Sequence, residues 1–118
     1  MKKEYTVYYR LNPTAHTMTK PEPPKNLGEF KSEFIEVVKI MAESIDDAWG
    51  MMQGDFWSPR GEATKHIERL GLTHTSMSVG DIIRDQYGNY YLCLAVGWKP
   101  FDMAPEENPW TVPSGRWE

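Results

Sequence analysis

The chain has 118 residues, 40% of them hydrophobic and 13% aromatic, and a formal net charge of −4. That length suits one domain with a core of its own, so no disulfide or metal staple is required. No stretch approaches the roughly 20 apolar residues that span a bilayer, and the dispersed, mild acidity argues against a dedicated nucleic-acid binder with a basic face.

Cys93 is the single cysteine, so no internal disulfide can form and a free thiol fits a reducing compartment. The N-terminal Met1-Lys2-Lys3-Glu4-Tyr5 leads into a polar, alternating segment without the apolar region of a signal peptide. The expected location is cytoplasmic.

In chain order, Glu4 to Leu11 reads as a strand: Tyr5, Val7, Tyr9 and Leu11 share one face, and Thr6, Tyr8 and Arg10 the other. Asn12-Pro13 ends it, because proline lacks the N–H that a ladder needs. Thr14 to Gly28, with Pro21, Pro23 and Pro24 among polar residues, reads as a loop. Glu33 to Ala42 reads as a second strand, with Ile35, Val37, Val38 and Ile40 as β-branched bulk and Glu36 and Lys39 toward water.

A helix follows. Ser44 can cap it, Asp46 and Asp47 sit in the first turn where the helix dipole favours carboxylates, and Gly54 suits its end. Ile45, Ala48, Trp49 and Met52 form its apolar stripe. A second helix is expected from Pro59 to Leu70, capped by Ser58 and closed by Gly71, with Ala63, Ile67 and Leu70 inward. A hairpin completes the pattern: Val79 to Asp85, a turn at Gln86-Tyr87-Gly88-Asn89, and a return strand from Tyr90 to Trp98. From Lys99 onward the prolines forbid long regular elements, so 99–118 is expected to be an irregular, aromatic tail. The predicted fold is α+β, a single domain with an antiparallel sheet of about four strands and two helices packed on one face.

Catalytic templates are missing: the sequence has no Gly-x-Ser-x-Gly elbow, no Gly-x-x-x-x-Gly-Lys loop and no His-Glu-x-x-His. No cofactor and no metal is expected. His66 is expected to pair with Glu62 on a helix surface, and Cys93 to be buried and inert. His74-Thr75-Ser76-Met77-Ser78, with Asp81 close behind, gathers a histidine, hydroxyls and a carboxylate. Such a set can support acid–base or nucleophilic chemistry, although hydroxyls in a connection ordinarily shape the turn. Tyr8, Tyr87, Tyr90, Trp57, Trp110 and Trp117 are more than a small core must hide, unless the tail folds back and its tryptophans plug the domain's own core; left exposed, they suit a protein interface. The candidate binding residues are therefore His74, Ser76, Asp81, Trp57, Trp110 and Trp117.

The stretch His-Thr-Ser-Met-Ser-Val-Gly-Asp-Ile-Ile at 74–83, followed by Tyr90-Tyr91 and Gly97-Trp98, resembles the YodL-like small proteins of phages and other mobile elements. Ser78 to Ile83 match the Ser-Val-Gly-Asp-hydrophobic pattern, and Trp98 stands where phenylalanine is usual. The resemblance covers roughly residues 74–101 and carries over no catalytic residue. It implies scaffold roles: Gly80 for a turn or bulge, Asp81 for backbone hydrogen bonds, and Ile82 and Ile83 for the sheet.

The expected function is that of a non-enzymatic phage or mobile-element accessory protein that binds a host or phage protein, with counter-defence as one use. A second copy of the chain is an alternative partner. The competing expectations are a small hydrolase-like enzyme built on His74, Ser76 and Asp81, and a single-stranded nucleic-acid binder.

Overall fold

The computed structural model describes residues 1–103. Strand β1 (Lys3–Arg10) buries Tyr5, Val7 and Tyr9 on one face, and the period of two sends Thr6, Tyr8 and Arg10 to the other. The segment expected to be a loop holds helix α1 (Ala15–Thr19) and the start of α2 (Leu27–Glu33). Local capping explains both. Thr14 and Thr17 exchange side-chain and backbone bonds in a capping box, and the Asn26 side chain accepts from Glu29 N–H.

Strand β2 (Phe34–Ala42) pairs antiparallel with β1, and the register slips between Val7, which faces Val38, and Tyr8, which faces Glu36. Val37 is the extra residue of a bulge. The slip accounts for a sequence that breaks strict alternation: Ile35, Val37, Val38, Ile40 and Ala42 all join one core, while Glu36 and Lys39 stay exposed.

Helix α3 (Ile45–Met51) is capped as expected, with Ser44 Oγ accepting from Asp47 N–H and Ala48 buried. Gly54 opens a short α4 (Gly54–Trp57) instead of ending the chain's helical run. Helix α5 (Thr64–Arg69) is shorter than predicted. Ser58 Oγ accepts from Ala63 N–H and Gly61 has φ of 82°, so the residues after Pro59 turn before the helix begins.

Strands β3 (Ile82–Arg84), β4 (Tyr90–Cys93) and β5 (Trp98–Phe101) form a meander. The expected single return strand is broken because Leu94 N–H donates to the Gly97 carbonyl and Gly97 has φ of 79°. Lys99, Pro100 and Phe101, placed by sequence in an irregular tail, instead belong to an edge strand, where a proline is tolerated. Among the described residues the sheet is five-stranded, antiparallel, in the order β2-β1-β3-β4-β5.

The two expected helices lie on one face of that sheet, and the opposite face is covered as well. Ala48, Met52, Ala63 and Ile67 bring α3 and the α5 region onto Tyr5, Val7, Tyr9, Val37 and Ile83. On the opposite face Phe30 of α2 meets Phe34, Ile82 and Leu92. Tyr8 and Tyr90 pack edge-on to Phe30, with ring centroids 4.8 and 5.5 Å away. Two of the tyrosines that seemed surplus are therefore part of a second core.

Candidate functional site

The connection from α5 to β3 carries the polar cluster. Asp81 is almost fully buried, and three donors converge on it. Arg10 N–H reaches Oδ1 at 2.9 Å, Ser78 N–H reaches Oδ2 at 2.8 Å, and His74 Nε2 lies 3.2 Å from Oδ2. With the hydrogen on Nε2, His74 donates to the carboxylate and Nδ1 is left as an acceptor, buried and without a partner among the described residues. The imidazole stacks on Tyr9 at 4.6 Å with planes 17° apart. Burial first, and the Asp81 charge second, push the Tyr9 hydroxyl far above its ordinary range, so it stays neutral and donates to the Thr75 carbonyl at 2.6 Å.

A cavity of about 160 Å³ beside this pair is walled by Pro13, Met18, Thr73, His74, Ser78 and Val79. The structure thus brings His74 and Asp81 together. It does not bring Ser76 to them: Ser76 Oγ accepts from Gly54 N–H at 2.7 Å, on the far side of the connection. Ser78 Oγ donates to the Ser76 carbonyl at 3.3 Å. A histidine–carboxylate pair is present, but neither hydroxyl is placed as its nucleophile. What the cluster does chemically is tie β1 to the start of β3.

The remaining sequence candidates separate. Trp57 is half-buried against the first core, and its Nε1–H donates to the Thr75 carbonyl at 3.0 Å, so part of it closes the domain's own interior. Trp110 and Trp117 lie outside the described residues. His66 makes no pair with Glu62: its Nε2 sits 2.7 Å from the Val37 carbonyl, while Glu62 accepts from the backbone N–H of Arg60. Among the described residues no group of histidine, cysteine or acidic side chains is arranged to hold a metal ion, and no helix is long and apolar enough to cross a membrane.

A second, larger depression lies beside the Cys93 end of β4 and shares Ser78 and Val79 with the first. It has a volume of about 260 Å³ and runs between α3 and the β4–β5 turn, with Trp49 and Trp98 among its walls and Met77, Val79 and Leu94 beneath. Trp98 is fixed by its Nε1–H, which donates to Asp46 Oδ1 at 2.9 Å. Trp49 is 40% exposed, and Val96, at the tip of the adjoining turn, is 91% exposed. Cys93 forms part of the floor. Burial raises its thiol to about 11, with the Asp81 charge adding and a hydrogen bond from Trp49 subtracting, so it is a neutral, inert wall.

Sequence reasoning missed this cleft. It assigned Trp49 to an inward stripe and Trp98 to a strand face. The available signal was the pair of small residues Ala95 and Gly97 around Val96, a turn signature within an otherwise alternating run.

Comparison of the chain with family models finds no match, and neither curated proteins nor solved structures provide one.

Proposed function

We propose that the protein acts by binding another protein, and that the cleft between Trp49 and Trp98 receives an extended segment of that partner. The observation that carries the reading is a rigid tryptophan held by a carboxylate beside an exposed tryptophan and an exposed valine, over an apolar floor. Large aromatic bodies with polar tips are the usual anchors of protein interfaces. Asp46 stands exposed on the rim, Asp47 follows it, and the chain is acidic overall. The occupant that suits this is a bulky apolar side chain flanked by lysine or arginine. Together with the resemblance to YodL-like proteins, this supports an accessory protein of a phage or mobile element, with a host or phage protein as its target.

Peptide display against the intact chain tests it. Selected peptides should share an apolar residue next to a basic one, and Trp49→Ala or Val96→Asp should weaken them at least about tenfold, the scale of one lost interface anchor. Peptides that bind both variants as well as the parent would sink the reading.

The alternative, chemistry at His74 and Asp81, has one favourable observation: beside a cavity, the Nδ1 atom has no partner among the described residues. It predicts that His74→Gln abolishes an activity that Trp49→Ala leaves intact.

A further inference from the structure

Arg10 ends β1 on the face opposite the first core, and its side chain is only 7% exposed. The guanidinium lies 4.5 Å from the centre of the Phe34 ring. It donates to Glu33 Oε1 and to the Glu22 carbonyl, each at 3.4 Å, and its buried Nε has no partner among the described residues. A guanidinium offers five N–H donors. The Glu33, Asp81 and Glu29 charges favour the cation, but burial still outweighs them, and two long bonds leave most of its donors poorly used. Glu33 is itself 43% exposed and therefore a screened, weak counterion.

Arg10 forms one wall of a cavity of about 150 Å³ under the α1–α2 connection. His16, Lys20 and Lys25 are also in the wall, so the buried cation has three further basic side chains around the same space. Glu22, Glu29 and Glu33 share it and offset that charge. The cavity is too small for a nucleoside and large enough for one tetrahedral oxyanion.

We propose that this cavity binds a phosphate group, with Arg10 as its buried anchor, Lys20 and Lys25 closing on it from the rim, and the Glu33 carboxylate giving up its long bond to Arg10 when the anion enters. Guanidinium is the side chain best suited to such recognition, since its planar fork matches two oxygens of a phosphate. The site is distinct from the tryptophan cleft and does not depend on it.

The test is an NMR titration of the intact chain with inorganic phosphate, and in a parallel arm with O-phosphoserine, each against sodium chloride at matched ionic strength. Saturable shifts at the Thr17, Lys20 and Lys25 amides are expected in phosphate and not in chloride. Lys20→Gln with Lys25→Gln, both exposed and remote from the cores, should weaken binding about tenfold or more, the scale of a lost charge-assisted hydrogen bond. Glu33→Gln should tighten it, because a competing carboxylate is gone; a merely structural role for Glu33 would not produce that gain. Tighter binding of O-phosphoserine would mark a phosphate monoester as the ligand, and equal binding would mark the free ion. Shifts that follow ionic strength alone, or affinity untouched by either variant, would overturn the proposal and leave water as the partner of Arg10.

Discussion

The imidazole of His66 on α5 reaches the main-chain carbonyl of Val37, the residue that bulges from β2, at 2.7 Å. A bulge leaves its extra residue out of the ladder, and here a helix side chain takes the vacated bond. The contact also covers part of an edge strand, where free carbonyls invite pairing with another chain. His66→Ala should therefore destabilise the fold by about 1–3 kcal/mol, the cost of orphaning a buried acceptor. His66→Gln, which can still donate, should recover part of that loss. Urea denaturation of the three proteins measures it, and equal midpoints would show that the contact contributes nothing.

That contact shows why sequence reading succeeded in some places and failed in others. The β1 alternation, the Ser44 cap and the strand pairing around the Asp85 turn all depend on neighbours within a few residues, and these were legible. The bond from Ser78 N–H to Asp81 is local in the same way, whereas the one from Arg10 N–H crosses 71 residues and was not legible. His66 looked like a surface residue because Glu62 lies one turn away, and only the slip opposite Val7 and Tyr8 gives it a carbonyl on β2. The second core was invisible for the same reason. Phe30 sits among polar and proline-rich sequence, and nothing local says that α2 will fold across Phe34, Ile82 and Leu92.

Cys93 reports on the tryptophan cleft. Its thiol is nearly inaccessible and raised to about 11, so at neutral pH little thiolate is present to react. Labelling by a disulfide reagent should be slow in the native protein and immediate in denaturant. Trp49→Ala removes part of the wall over the sulfur and should accelerate native labelling several-fold, with the added access outweighing the loss of a Trp49 interaction that lowers the thiol. An unaltered rate would mean that Trp49 does not cover the thiol.

Asp85 makes the fold acid-sensitive. Burial pushes its carboxyl upward, but bonds from Asn89 N–H and side chain, Tyr87 N–H and the Tyr91 hydroxyl outweigh that and hold it below the usual value. A carboxyl whose folded value lies below its unfolded one stabilises above about pH 4 and loses that contribution as pH falls through the folded value. Asp85→Asn should lower stability near neutrality and flatten the decline in acid. Melting temperatures followed from pH 7 down to about pH 3 distinguish this from a uniform loss.

Gly80 and Gly97 separate backbone strain from crowding. Both have positive φ, 96° and 79°, so alanine at either meets the left-handed penalty of about 1–2 kcal/mol. At Gly97 an added Cβ would touch nothing within 4 Å, whereas at Gly80 it would stand 3.0 Å from the Thr17 carbonyl, a main-chain atom that cannot swing away. Gly80 also precedes Asp81, whose carboxylate ties Arg10 of β1 to Ser78, so any shift there loosens that junction. Gly97→Ala should cost about 1 kcal/mol and Gly80→Ala clearly more, because displacement of α1 adds to the strain. Equal losses would mean that α1 yields freely and that the contact at Thr17 is not a structural constraint.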